Sequence, residues 1–283
     1  MADYLMREEA PLTSEEWERL DNLVVETARQ HLIGRRFIHL AGPFGAGLQS
    51  MPLDSYKGTK VGVCDLIGEE ECSPVQLAGR SYLALPIIHK DFWLLWRDIS
   101  ASRQFGFPLD LSPAVMASIF CAQAEDNLIF HGDEKSGLAG LLNVEGRNTI
   151  PLSDWDEGGN AFHDIVAATE KLVQAGFYGP YAGVVSPAMH TKMYRVYKGT
   201  GMLEISQVRQ VLQGGLFQSP ALGEGVAVVV SIGQENFDLA VAQDLITAYM
   251  GPDKMNHFFR VFESLALRVK RPDAICTLEA KKK

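Results

Sequence analysis

Apolar residues recur every three or four positions at Trp17, Leu20, Val24, Ala28 and Leu32, while Glu15, Arg19, Glu26 and Arg29 take the opposite side. That spacing predicts an amphipathic helix with one buried stripe, ending at Gly34. Thr13-Ser-Glu-Glu16 supplies its start as a capping box, with Leu12 and Trp17 at the staple positions on either side. A second long helix opens at Ser112-Pro113, with Ser112 as N-cap and Pro113 in the first turn, where its missing N–H costs nothing. Val115, Ile119, Ala122, Asp126 and Ile129 follow one side of it, with Met116, Phe120, Gln123 and Phe130 beside them. Apolar almost all round up to Glu125, it reads as a buried spine.

Between these helices the pattern loosens. From 46 to 82, glycines and short mixed strands alternate with the acidic run Glu69-Glu-Glu71. Little there could form a core of its own, so a long two-stranded excursion that needs a neighbour is expected. From 148 to 231 helical and extended patterns alternate. Phe162, Ile165, Val166, Thr169, Leu172 and Val173 give an amphipathic helix stopped by Gly176. Tyr181 to Ser186 and Val226 to Ser231 read as buried strands with two shorter helices between them. Phe259, Val261, Leu265, Leu267 and Val269 alternate with Arg260, Ser264 and Arg268, a strand with one wet face.

With 283 residues, 47% of them hydrophobic, the chain can bury one large core or two modest ones. A net charge of -9 argues against a general nucleic-acid coat, which needs a basic surface. No apolar run reaches the roughly 18 to 20 residues of a membrane span, and the first residues lack a cationic start before an apolar stretch. A cytoplasmic protein that touches neither membrane nor nucleic acid is expected.

Candidate chemistry is sparse. Cysteines 64, 72, 121 and 276 contain no C-x-x-C pair, and the seven histidines show no metal spacing. No metal site is expected. His131, Asp133 and Glu134 are neighbours in a turn and read as structural. There is no G-x-S-x-G elbow, and Gly42 to Gly47 lacks the following helix that a phosphate loop requires. No catalytic residue is assigned. Arg35 and Arg36 beside Phe37 could hold an acidic or aromatic partner, or could be solvated.

One stretch is more specific. Glu125-Asp126, Ile129-Phe130, Glu134-Lys-Ser-Gly137 and Gly140-Leu-Leu142 follow one another through a helix end and a glycine-punctuated turn. Ala10-Pro-Leu-Thr13, Gly34-Arg-Arg-Phe37, Gly42-Pro-Phe-Gly45 and Asp110-Leu-Ser112 precede it. Gly179-Pro-Tyr181, Gln213-Gly-Gly215, Gln243-Asp-Leu245 and Lys270-Arg-Pro-Asp-Ala-Ile275 follow. In this order, over nearly the whole chain, the motifs resemble the encapsulins, shell proteins that share the tailed-bacteriophage major capsid fold.

The resemblance implies an α+β chain of the Hong Kong phage type. Its parts would be a peripheral domain (1–45, 83–147 and 232–283), an extended loop (46–82) and an axial domain (148–231). It implies a non-enzymatic protomer of a closed icosahedral homo-oligomer enclosing a cargo protein. In the family that cargo is a ferritin-like iron oxidase, a peroxidase or a hemerythrin, so iron storage or oxidative-stress defence is expected. A C-terminal targeting peptide of the cargo would dock at Leu32, Arg35, Phe37, His39 and Leu245, although the family commonly has an acidic residue where this chain has His39. The tip Lys198, Gly199, Thr200, Gly201 and Met202 would crowd around a fivefold pore. No cofactor is required. Some members carry a flavin near a tryptophan, which marks Trp93 and Trp96 as stacking candidates beside the plainer reading of aromatic packing between subunits. Two rivals stand: a prophage major capsid protein, and a stand-alone protease or bacteriocin, for which no nucleophile–base pair is present.

Overall fold

Helix α1 (Ser14–His31) forms on the predicted stripe, burying Trp17, Leu20, Val24 and Ala28. Its capping box closes in both directions: Thr13 Oγ1 accepts from the Glu16 N–H at 3.2 Å, and the Thr13 N–H donates to Glu16 Oε2 at 2.7 Å. The structure is a computed structural model that describes residues 3–57, 62–197 and 201–280. After α1, a single 3-10 turn (Gly34–Arg36) leads into the short strand β1 (His39–Ala41). Strands β2 (Ser50–Lys57) and β3 (Gln76–Ala84) pair antiparallel as the expected excursion, and no described residue from 50 to 84 is buried. Strand β4 (Ile87–Leu94) then runs into α2 (Trp96–Phe105). The apolar pattern gave no sign of α2, because Ile99 is its one buried residue.

Helix α3 (Ser112–His131) is the spine, burying Ala114, Ala117, Cys121, Glu125 and Ile129, with Met116 and Phe120 left exposed. Ser112 is not its cap. Leu111 holds that position, and the Asp110 carboxylate accepts both the Ser112 N–H (2.9 Å) and its hydroxyl (2.6 Å). A carboxylate two residues upstream thus takes a helix-end donor that a serine at the cap would otherwise serve. Beyond α3 a two-residue hairpin, β5 (Gly132–Asp133) with β6 (Leu138–Ala139), folds back on the helix end. A Cβ on Gly132 would lie 2.1 Å from the Leu138 carbonyl oxygen, and one on Gly140 2.4 Å from the Phe130 backbone. These glycines let two backbones touch. The turn is architecture, as its sequence suggests.

The next segment contains β7 (Asn148–Pro151), α4 (Asn160–Gln174), β8 (Tyr181–Val185), α5 (Pro187–Lys192), α6 (Glu204–Val211), β9 (Gly215–Gln218) and β10 (Val226–Ser231). Helix α4 buries Ala161, Ile165, Ala168 and Leu172, but Val166 and Val173 remain 36% and 41% exposed. The buried stripe is centred on the two alanines, so both valines fall to its outer margin. The chain closes with β11 (Phe237–Asp253), β12 (Asn256–Val269) and β13 (Ile275–Glu279). Ser264 is buried and donates to the Leu85 carbonyl at 3.2 Å, so the expected wet face of β12 is dry at that point.

Two sheets organise these elements. One has the order β1-β11-β12-β4, with α3 lying across β4 and β12 and α1 packed on α3. The other has the order β7-β13-β10-β8-β9. Its member β13 pairs with β10 in the register Val229↔Cys276, so the end of the chain completes the sheet of the 148–231 segment. One apolar core, including Phe130, Leu141, Val184, Val230, Phe237 and Leu265, spans both sheets. No helix among the described residues is long and apolar enough to cross a membrane.

Candidate functional site

The predicted docking residues do not form one surface. Leu32 is buried with Ala28 and Ala122, and Leu245, half-buried in an irregular stretch of β11, packs against that cluster. Phe37 instead enters the central core, stacked on Phe217 with ring centroids 5.7 Å apart. His39 is exposed on β1, at the edge of the four-stranded sheet, pairing with Asp238. Leu32 and Leu245 therefore make a seat, and His39 lies on a different rim.

Arg35 departs furthest from its expected role as a cation that meets a partner. Its side chain is 14% exposed and fully engaged inside the fold. The Nε and Nη2 atoms donate to Glu125, Nη2 also to Glu263 Oε2 at 2.7 Å, and Nη1 to Asp244 Oδ1 at 2.7 Å. The guanidinium thus ties the turn after α1 to α3, β11 and β12, a use for which its planar fork is suited. Its neighbours hold its own pKa above the usual guanidinium value despite burial. Asp244 sits next to Leu245, so the same contact that fixes Arg35 also fixes the seat. Arg36 turns back to donate to the Leu32 and Gln30 carbonyls, closing the end of α1.

Asp126 adds a second tie. Its carboxylate accepts the backbone N–H groups of Ile33 and Gly34, at 3.1 and 2.9 Å. Burial pushes its carboxyl up to about 6, against the pull of those two donors. Beside it opens a cleft of about 550 Å³ lined by Gln30, His31, Gln123, Asp126, Asn127 and Gln218. A second cleft, also about 550 Å³, follows the first half of α1 between Arg7, Leu12, Trp17, Glu18, Asp21 and Asn22. The first of these clefts takes Gln30 and His31 from the end of α1, within one turn of Leu32.

Glu263 and these clefts escape a reading by motif. Glu263 did leave a signal: it occupies the inward register of Phe259, Val261, Leu265 and Leu267, where an acid must find a partner. Asp244 lies inside the Gln243-Asp-Leu245 motif, but nothing in that local pattern names Arg35 as its partner.

Of the predicted tip, Lys198, Gly199 and Thr200 lie outside the described residues. Gly201 and Met202 stand at its base, where Val196 and Leu203 form an antiparallel bridge and the Tyr197 N–H donates to the Met202 carbonyl at 2.7 Å. Tyr194 and Val196 are exposed beside them. Trp93 and Trp96 are 38% and 39% exposed. The Trp93 ring lies 4.7 Å from Phe258, and the Arg97 guanidinium 5.6 Å from the Trp96 ring. Trp96 borders a cleft of about 390 Å³ with Pro11, Ile99, Arg103 and His257. Each indole thus keeps part of its surface open, one beside an aromatic ring and the other beside a cation.

The excursion carries a run of exposed apolar side chains. Leu66, Ile67, Val75 and Leu77 join Tyr56 and Tyr82 as exposed side chains along it. Monomeric proteins rarely leave such a surface open.

Residues 2–266 match the profile of the family described as encapsulating protein for peroxidase, Linocin_M18. The type 1 encapsulin shell protein EncA of Myxococcus xanthus is 49% identical over 99% of this chain and 97% of its own length. A virus-like particle protein from Pyrococcus furiosus superposes with a TM-score of 0.76 at 20% identity, over 94% of this chain and all of that one. The capsid of Myoviridae phage XM1 superposes at 0.60 and 12% identity, over 86% and 89% of the two chains. The α+β fold is therefore that of the tailed-phage capsids.

Proposed function

The chain belongs to the encapsulin family of shell proteins, and from that premise we propose that it assembles with copies of itself into a closed icosahedral compartment around a cargo enzyme. The observation that carries this reading is the excursion from 50 to 84, a hairpin with apolar side chains and no core. Hairpins of that kind are unstable alone and gain their burial from a neighbour. Heterologous contacts that close on themselves give a shell; those that do not would give a filament.

The protomer contributes sequestration, not catalysis. A targeting segment at the end of the cargo would place apolar side chains on the seat of Leu32 and Leu245, near the cleft at the end of α1. Arg35 and Phe37 would act from behind, by holding that seat in shape, and His39 would meet the segment only if it continues across the sheet edge. The family description, an encapsulating protein for peroxidase, supports a redox enzyme as cargo. Iron storage or oxidative-stress defence in the cytoplasm is the setting we favour. Solutes would cross at symmetry axes, with the segment from Lys198 to Met202 as the lining of one opening. Trp93 and Trp96 are the positions at which we would look for bound flavin. The test is to express the chain alone and with a partner carrying such a C-terminal segment. Hollow particles in the first case and filled ones in the second are expected.

A further inference from the structure

Glu263 and Glu125 are the two buried acids of the network around Arg35, with side chains 1% and 0% exposed. Glu263 Oε2 meets Arg35 Nη2 at 2.7 Å, and Glu125 Oε2 meets the same nitrogen at the same distance. The two buried carboxyl groups thus converge on one guanidinium nitrogen. Two like charges gathered at one buried point favour a proton on one of them. The other oxygen of Glu263, Oε1, is buried with no partner among the described residues. An ionised carboxylate would leave that oxygen as an unpaired buried charge, whereas a protonated acid leaves only a neutral group.

We propose that Glu263 and Glu125 share one proton across Arg35 and that its loss at raised pH opens the tie between β12, α3 and the Asp244–Leu245 stretch of β11. The charges agree with this. Arg35 is one cation against Glu125, Glu263 and Asp244, and a proton on Glu263 leaves the group one negative charge in excess instead of two. The charged groups facing Glu263 are Arg35 from the turn after α1, Glu125 from α3 and Asp244 from β11. The Cys121 thiol of α3 lies near it, with Lys90 and Asp91 of β4 beyond. Burial and the Glu125 charge both push the Glu263 carboxyl well above the ordinary range, while Asp244, exposed at its tip and bonded to Arg35, is held below it. The device concerns stability of the fold and stands whether or not the chain builds a shell.

The sign of the linkage follows. A carboxyl with a raised folded pKa keeps its proton in the native state after the unfolded chain has lost its own. Its contribution is therefore present at low pH and lost progressively as pH rises toward the folded value. Glu263→Gln keeps the neutral shape and removes the titration. The experiment measures denaturant unfolding of wild type and E263Q from about pH 5 to 9, with infrared difference spectra of the wild type over the same range. We expect E263Q to fold, and its stability relative to wild type to grow with pH, shifting the alkaline midpoint up by about one pH unit or more. We also expect a protonated-carboxyl carbonyl band in the wild type at neutral pH that is absent from E263Q. A ratio that is flat or falls with pH would mean that Glu263 is ionised in the native state and would overturn the proposal. If E263Q does not fold, the wild-type spectrum decides alone: no protonated-carboxyl band at neutral pH refutes the shared proton.

Discussion

Asp126 Oδ1 accepts the Gly34 N–H at 2.9 Å, bonding the spine helix to the turn that ends α1 across 92 residues of sequence. The contact explains why an acidic pair stands at the end of an otherwise apolar helix. Glu125 takes Arg35, and its neighbour takes the backbone on either side of residue 33.

Asp126→Ala leaves two buried N–H groups without an acceptor and should cost about 2 to 5 kcal/mol, at about 1 to 3 for each orphaned donor with partial relief by water. Asp126→Asn retains one acceptor and should cost less. The titration separates the charge from the shape. With its carboxyl at about 6, above the value near 3.8 in the unfolded chain, Asp126 favours folding at low pH and loses that contribution as pH rises through 6. The wild type should therefore gain on the Asn variant by about 3 kcal/mol at most between pH 7 and 4 in chemical unfolding, two units at about 1.4 each.

Gly34→Ala probes the same junction sterically. The added methyl would lie 2.4 Å from Ile129 Cδ1, inside the spine. The isoleucine can rotate only by opening a void in a packed core, so a loss of about 1 to 3 kcal/mol is expected in thermal or chemical unfolding. Gly140→Ala should do worse, because backbone and not side chain stands in the way, and soluble yield should collapse.

Arg35→Glu and Leu245→Asp should behave differently, although both residues border the seat. The first places a fourth acid among Glu125, Asp244 and Glu263, and breaking a buried ion network costs about 3 to 5 kcal/mol. It should not yield folded protein. Leu245→Asp alters a half-buried side chain and should yield particles that load poorly. Losing one apolar anchor costs about 1 to 3 kcal/mol, five- to hundred-fold in affinity, read as cargo per shell after co-expression. Full loading of the Leu245 variant would place docking elsewhere.

Much of this fold was legible because it is written in local rules. The capping box of α1, the two-stranded excursion without a core and the glycines after α3 each follow from a few adjacent residues. What was not legible depends on partners far along the chain. Arg35 read as a surface cation because its three acids lie 90 to 228 residues away. Phe37 read as part of a docking surface because nothing nearby announces Phe217. Helix α2 was invisible since one buried side chain makes no periodicity. Val166 and Val173 matched a helical stripe by type, but alanines, silent in a count of large apolar residues, decide which face turns inward.

Removing residues 55 to 75 should leave a soluble, folded subunit that does not assemble correctly. No described residue in that range is buried, so the cores of the two sheets lose nothing. Circular dichroism should keep its helical signal while sedimentation falls to a small species. Particles of normal size from this deletion would free the excursion from any role in assembly.

The most direct measurement is electron microscopy, with light scattering for mass, of the chain expressed alone and purified without cargo, scaffold or protease. Hollow, near-spherical particles of uniform size are the expected result, since every contact needed for closure would reside in this one sequence. A monomer or small dimer at micromolar concentration, or open filaments, would contradict a self-closing shell.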